Sequence, residues 1–553
     1  MNSLLQKSWI IKTPYELIPV MDRVTRHRSL DLENELTELH SPWTMKGMKK
    51  AIERIAQGIK DEERIMIFGD YDVDGVCGAS ILYLGMKELG ANVSVRLPHR
   101  ERDGYGLNMK VIEECLELGV KILITVDCGI SNVKQVAYGM SKGIDVIVTD
   151  HHSIPNVLPK AFAVLNPKQK DCEYPEKEIV GSVVAFKLLS ALSAHHQQPT
   201  TSNQLYQFLD LAALATVADC APLRGENRLI VKLGLEQMRE TKHRGLRKLL
   251  DSYPDTSNQK PITSYHLGFK IAPCINAAGR LEDPMMAFSM MLGDEAMALE
   301  LRELNEERQG IVKSALEEAL KIVEQKHSKD PVIVIWHQQW QPGIIGLLAG
   351  KLCEHYGRPA ICLTLHGDKY VGSCRSIPEI NIVDELRQCE DLFIGYGGHA
   401  QAAGLSILEK NLEPFRNRLH RSIGERLKDR PLEPALFIDT EIMPEEISLA
   451  TSRQLTSLEP FGMGNHKPKF LLKAVTVLET RIVGKDLTHL QLSLATSEGE
   501  VMKGIAFQMA EHQSMLESWK IIDLVCQLNK NEWNGKVSID LQLVDARQSG
   551  ESP

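Results

Sequence analysis

The chain has 553 residues, 43% of them hydrophobic and 25% charged, a balance that excludes disordered and collagen-like chains and suits three or four globular domains. Its formal net charge is 64 − 73 = −9, so it is no uniformly basic nucleic-acid coat, and a nucleic-acid partner would need a local basic groove. Eleven cysteines are scattered without a CxxC pair, which fits a reducing compartment. The most apolar stretch, Ile179 to Ala194, carries Lys187 and falls short of the ~20 apolar residues of a membrane span. The N-terminus lacks the layout of a signal peptide, and the cytoplasm is the expected location.

In chain order, residues 1–60 read as a polar, helical lead-in. Ile65–Phe68, Val93–Leu97, Lys121–Val126 and Asp145–Val148 read as strands, with a helix over Val76–Leu89 closed by Gly90. This alternation predicts βαβ units and a mostly parallel sheet. A helical pattern runs from Asp294 to His327, about 45–50 Å at 1.5 Å per residue. Strand signals resume at Val332–Trp336 and Ala360–Leu363, a second α/β unit follows to about 428, and Pro431 and Pro434 mark a break. Beyond it Phe470–Leu478, Leu490–Leu494, Lys503–Phe507, Ile522–Leu528 and Lys536–Val544 suit a small OB-like barrel.

The chemistry lies at the strand ends. Gly69-Asp70-Tyr71-Asp72-Val73-Asp74-Gly75 resembles the start of a calcium loop, but Ile81 stands where that loop needs a bidentate Glu, and a strand precedes it. Alternating carboxylates between a strand and a helix can instead converge on one cation, with Gly75 allowing close backbone approach. The next strands end in Asp127 and in Asp150-His151-His152, and Asp219 follows Leu209–Val217. In an open parallel sheet, ligands bind beyond the carboxyl ends of strands, so these groups share one edge. A strand-end Asp also caps helices, and a His pair also sits at surfaces; their joint occurrence favours a site. Carboxylates with one or two imidazoles favour Mn²⁺ or Mg²⁺ over structural zinc. Two cations roughly 3.5–4 Å apart would suit in-line displacement at phosphorus. Further on, Gly397-Gly398-His399-Ala400 reads as paired glycines before a small-residue helix, able to hold a phosphate, and Ser373 and Arg375 offer a hydroxyl and a guanidinium.

The segments GDYDVDG, VDCG, TDHH, ATVADCAPL, INAAGR, GSCRS, GGHAQAAG and LEPFGMGN occur in that order. Over residues 45–548 the chain resembles the RecJ family of single-stranded-DNA-specific exonucleases, within the DHH phosphoesterase superfamily. The resemblance implies an α/β protein with a DHH parallel-sheet domain, a long connecting helix, a second α/β DHH-associated domain and a C-terminal OB-like β-barrel. The expected division is a lead-in over 1–60, a DHH catalytic domain over 61–293, the connecting helix over 294–327, a DHH-associated substrate domain over 328–430 and an OB-fold over 431–548. The implied activity is 5′-to-3′ release of mononucleotides from single-stranded DNA in recombination and repair. By family pattern Asp70, Asp72, Asp74, Asp127, His151 and Asp219 are expected to hold a two-metal Mn²⁺ or Mg²⁺ site, with Asp127 bridging. Asp70, Asp72, Asp127, His151 and His152 are the expected catalytic set, and Arg280, Ser373, Arg375, Gly398 and His399 the substrate contacts.

Single-stranded DNA is the expected partner, with a helicase or single-strand-binding protein beside it, and no membrane. The expected working arrangement is a narrow cleft between the two α/β units. Arg96, Arg100 and Arg102 are candidates to line the strand's path, and Arg481, Lys485 and Trp533 to track it on the barrel. Phe68, Cys274 and Gln341 depart from residues common in the family, and the likeness stops short of the extra C-terminal domain of longer members. Two other readings stay open: a phosphodiesterase on short oligonucleotides or cyclic dinucleotides, and a non-catalytic relative that binds single-stranded DNA.

Overall fold

The computed structural model describes residues 3–28, 36–100, 102–104, 106–196, 205–256, 261–428, 434–533 and 536–550. The chain divides into two compact units, one of Ser29–Glu307 with Leu458–His466, the other of Met1–Arg28, Arg308–Ser457 and Lys467–Pro553. Among the described residues no helix is long and apolar enough to cross a membrane.

The first unit is built on a five-stranded sheet in the order Val93–Arg96, Ile65–Gly69, Ile122–Val126, Asp145–Thr149, Ala163–Leu165, with every pair parallel. The two strands that bear the first acidic groups are buried along their whole length, as expected for parallel strands covered on both faces. Ile65 and Ile67 pack in one apolar layer with the helices Met48–Lys60, Val73–Glu88 and Gly181–His195. Met66 and Phe68 face the opposite layer, with Leu123, Val146 and the helix Met109–Glu117. Register then positions the site. Gly69 pairs with Val126, Val126 with Thr149, and Thr149 with Leu165, so Asp70, Asp127 and Asp150 leave the sheet side by side. Leu458–His466 joins this unit, its Met463 carbonyl accepting from the Leu223 amide at 2.8 Å.

In the second unit, the sheet order is Phe393–His399, Ala402–Ile407, Lys369–Arg375, Ala360–His366, Ile333–Trp336. Only its last pair is parallel. A closed barrel follows in the order Phe470–Val483, His489–Ala495, Val501–Ala506, Lys536–Gln548, Ile521–Trp533 and back to Phe470–Val483. Ala474, at φ 54°, marks a register shift in the first of these strands, and the resulting bend lets one strand pair along both edges. The helix between the two sheets in sequence runs Glu295–Lys326, close to its predicted span.

Two expectations differ from the structure. The lead-in is not all helical: Ser8–Ile11 is a strand, parallel to Ala435–Ile438. Trp9-Ile10-Ile11 are strand formers whose partner lies some four hundred residues away, out of reach of any local pattern. The GGHA segment does not lead into a helix. Phe393–His399 and Ala402–Ile407 form an antiparallel hairpin, because Ala402–Ile407 also pairs with Lys369–Arg375 and is captured as a central strand.

Candidate metal centre

The carboxylates converge because each element ends at the sheet edge. Asp72 caps the helix Val73–Glu88, its Oδ1 accepting from the Asp74 and Gly75 amides at 3.0 and 3.2 Å. Gly75 is required here, since a Cβ would sit 2.4 Å from the Asp70 amide nitrogen. Asp74 accepts from the Gly181 and Ser182 amides at 2.6 and 2.8 Å, satisfying the start of a helix whose own N-cap, Val180, has no side chain to do so. Asp127 is held at φ 60°, a strained value for a residue with a Cβ, directly beyond its strand.

Three sets of potential ligand atoms each lie within 4.8 Å of one another: Asp70, Asp72 and Asp127; Asp127, His151 and His152; Asp74, His151 and Asp219. Asp127 links the first two sets and His151 the last two. His151 Nε2 is 3.1 Å from Asp127 Oδ1, 3.7 Å from Asp219 and 3.8 Å from Asp74. Buried Asp70 Oδ1 and Asp127 Oδ1 have no hydrogen-bond partner among the described residues. Unsatisfied buried oxygens among the neighbouring Asp72, His151 and His152 side chains fit a divalent cation.

Charge crowding has the same implication. Burial, then Asp72, pushes the Asp70 carboxyl well above the usual range, and burial with Asp74 and Asp72 does the same to Asp127. Asp72 is raised by burial and Asp74. Asp219 keeps 38% of its side chain exposed, yet desolvation by the protein around it, with Asp74 and Asp72, pushes its carboxyl up to about 8. His151 is lowered by burial, which favours the neutral imidazole that ligates metals.

Asp150 was missing from the sequence-derived site. Its Oδ1 accepts from the His151 and His152 amides at 2.7 and 3.0 Å and lies 2.8 Å from His152 Nδ1, while Oδ2 accepts from the Ile130 amide at 2.9 Å. Burial would raise this carboxyl, but the His152 ring and the backbone donors hold it below its ordinary value. For His152, burial is outweighed by the same hydrogen bond, and its pKa is raised. The signal was present, a third strand-end Asp in register with Asp70 and Asp127, but its role depends on which atoms it faces.

The remaining predicted residues fall into separate places. Arg280 lies in the last turn of Ala272–Leu281, one residue after Gly279, where a Cβ would be 2.6 Å from the Tyr71 carbonyl oxygen. In the second unit, register aligns His399, Ala402 and Arg375 across three strands, and Gly397, Gly404 and Ser373 across the same three. His399 and Arg375 therefore flank Ala402 on one face of the sheet, with Ser373 two residues from Arg375. Gly398, at φ 145°, could carry no Cβ, which would lie 2.4 Å from the Ala402 carbonyl oxygen.

Of the arginine cluster, Arg96 is ion-paired with Asp103 and Glu114, Arg102 lies 3.7 Å from Asp283, and Arg100 sits over the Tyr71 ring. Phe68 is fully buried in the apolar layer and cannot ligate. Cys274 is buried beside the Tyr253 hydroxyl, and Gln341 accepts from the Ile344 amide through its carbonyl oxygen. Arg481 pairs in register with Gln491, Lys485 is exposed, and the Trp533 side chain lies outside the described residues.

Residues 64–216 match the family described as DHH family, N-terminal domain, and residues 329–425 the DHHA1 domain. A parallel sheet with its Asp and His groups at the strand ends, followed by the mixed sheet, is thus that of a DHH phosphoesterase. Residues 438–545 match the RecJ OB domain. The single-stranded-DNA-specific exonuclease RecJ of Dickeya dadantii is 34% identical, covering 92% of each chain. The protein of that name from Bacillus subtilis is 35% identical over 94% of this chain, which spans 66% of its length. RecJ from Thermus thermophilus in complex with Mn²⁺ superposes with a TM-score of 0.81 at 30% identity, over 98% of this chain and 80% of that one; its complex with Mg²⁺ gives 0.76 at 28%, over 98% and 79%. The chain belongs to the RecJ family of single-stranded-DNA-specific exonucleases.

Proposed function

We propose that this chain hydrolyses single-stranded DNA from its 5′ end to mononucleotides, using Mn²⁺ or Mg²⁺, in DNA recombination and repair. The observation that carries the reading is the convergence of Asp70, Asp72, His151 and His152 around Asp127. Asp70, Asp72, Asp127, His151 and Asp219 would hold two cations, with Asp127 shared between them and Asp74 fixing the helix behind the site. Bound there, the cations supply positive charge to the phosphate oxygens and lower the pKa of an attacking water. His152, raised in pKa by Asp150, would donate a hydrogen bond to a phosphate oxygen. Arg280, Ser373, Arg375, the Gly398 backbone and His399 are assigned to the substrate phosphates, the last four on two strands of one sheet that flank Ala402–Ile407.

The domain division expected from the sequence is proposed with two amendments: the lead-in includes the strand Ser8–Ile11 and is shared between the two units at residue 28, and Leu458–His466 belongs with the parallel-sheet unit. A helicase or single-strand-binding protein would supply the unwound strand, in the cytoplasm. Digestion of single strands labelled at the 5′ or 3′ end, with Mn²⁺ and with Mg²⁺, tests the assignment and its polarity. Asp127→Ala is expected to drop hydrolysis to background while the fold persists; full activity in that variant overturns the proposal.

A further inference from the structure

The helical run from Ser264 to Leu281 begins in a capping box, with Thr263 and His266 bonded to each other's backbone, and passes through a π-turn at Leu267–Ile271 into the α-helix Ala272–Leu281. One side is buried through Leu267, Ile271, Cys274, Ile275 and Ala278. The other side carries Tyr265, Phe269, Pro273, Asn276 and Arg280, at spacings of 4, 4, 3 and 4 residues. On an α-helix each spacing of four drifts by about 40°. The wider π-turn turns less per residue and draws that drift back, so the five positions stay in one stripe.

The two ends of the stripe differ. At one, Asn276 Oδ1 accepts from the Val73 amide at 3.2 Å and Gly279 packs on the Tyr71 carbonyl, so this end is seated on the acidic loop of the metal centre. At the other, Tyr265 and Phe269 are 57% and 70% exposed and stacked on each other, centroids 5.0 Å apart at 26°. Gly268, between them, lies against Val217 of the helix that delivers Asp219. Both ends are thus anchored to elements of the same site. Among the described side chains beside it, Lys270 is bonded to Asp255, and His266, its pKa lowered by burial, lies 3.7 Å from the same carboxylate. The aromatic end therefore presents π-faces rather than charge.

We propose that Tyr265 and Phe269 form a stacking platform for bases of the single-stranded substrate, a few nucleotides away from the scissile phosphate. The inference rests on the proposed nuclease function and adds a subsite to it. Aromatic side chains bind bases by stacking without regard to sequence, as a nuclease that degrades any strand requires. From Arg280 to Phe269 the helix extends roughly 16 Å at 1.5 Å per residue. A stacked strand advances about 3.4 Å per nucleotide, so Phe269 lies about five nucleotides from Arg280 and Tyr265 about six or seven. The stripe's continuity with the loop bearing Asp70 and Asp72 makes the strand being cut the occupant, in preference to a segment of another protein.

The test compares the full chain with Tyr265→Ala/Phe269→Ala and with the conservative pair Tyr265→Phe/Phe269→Tyr. Binding of an oligothymidylate of about twenty nucleotides is read by anisotropy in an Asp127→Ala background, which prevents cleavage. Stacking is worth ~1–3 kcal/mol per base, so the Ala pair should raise Kd about tenfold or more, and the conservative pair should leave it unchanged. A trinucleotide is too short to reach the platform, and its affinity should be the same in all three proteins. A 2-aminopurine placed at the fifth to seventh nucleotide should lose its quenching only in the Ala pair. Unchanged affinity of the Ala pair for the long strand, or equal weakening on both lengths, overturns the platform. If the parent chain binds and cleaves while the platform fails, the proposed function stands; if the parent neither binds nor cleaves single strands, both fall.

Discussion

Within the metal centre, Asp127 and Asp150 leave neighbouring strands at the same level, yet do opposite things. Asp127 turns its side chain toward His151, Asp70 and Asp72, with Oδ1 unsatisfied, whereas Asp150 spends both oxygens on protein donors. Asp150 is a positioning residue, acting through His152. Asp150→Asn should keep the shape but lose the charge that orients the ring, and lower metal affinity or turnover about 10–100-fold. Titration with Mn²⁺ beside a pH–rate profile checks this: the limb set by His152 should shift to lower pH, a shift that mere loosening of the fold would not produce. A second expectation concerns protons. Asp70, Asp127 and Asp219 have folded pKa values above those of an unfolded chain, Asp219 reaching about 8. The native state therefore binds more protons at these groups, and the stability they contribute at low pH is lost as pH rises towards 8. The metal-free protein should melt at lower temperature at pH 8 than at pH 6, and Mn²⁺ should raise Tm more at pH 8. A Tm of the metal-free protein that rises across this range would contradict the crowding described for the site.

For the elements, close approach decides which substitutions the fold tolerates. A Cβ on Gly181 would lie 2.7 Å from the Asp127 Cβ and 3.0 Å from Asp74 Oδ2, and would push the helix Gly181–His195 off the carboxylate that caps it. Gly181→Ala should cost about 1–3 kcal/mol in denaturant unfolding and weaken Mn²⁺ binding along with it. Gly143, with nothing within 4 Å of its would-be Cβ but a φ of 82°, is the contrasting control: Gly143→Ala should lose stability and leave Mn²⁺ affinity unchanged. The strands that carry the acidic groups were readable because apolar runs such as Ile65–Phe68 and Ile122–Val126 are bounded by Gly and Asp. The helix Glu295–Lys326 was readable from its spacing of apolar residues. The Gly397–Gly404 segment was not, since glycine and alanine carry almost no periodic signal and neighbouring strands decide its state.

Across the whole molecule, each unit is completed by a segment from far along the chain. Leu458–His466 returns to the parallel-sheet unit, where Arg228 Nη1 donates to the Leu458 carbonyl at 2.7 Å. In the other unit the N-terminal segment is fastened to the barrel: buried Asp545 accepts from the Leu5 amide at 3.1 Å and from Trp9 Nε1 at 2.9 Å, and Arg23 pairs with Glu446. Asp545→Ala leaves both donors without their acceptor and should destabilise by about 1–3 kcal/mol, with proteolysis appearing first before residue 28. The amino-acid sequence by itself determined the strand ends that bear Asp70, Asp127 and His151, the long helix and the barrel strands, because burial and periodicity are local properties of a segment. Only the tertiary structure decided that Ser8–Ile11 is a strand, that the GGHA segment is a hairpin, that Asp150 orients rather than ligates, and that Tyr265 and Phe269 share a stripe with Arg280. Each of these depends on which distant backbone or side chain comes to lie beside it, and pairing at long range leaves no mark in a local pattern.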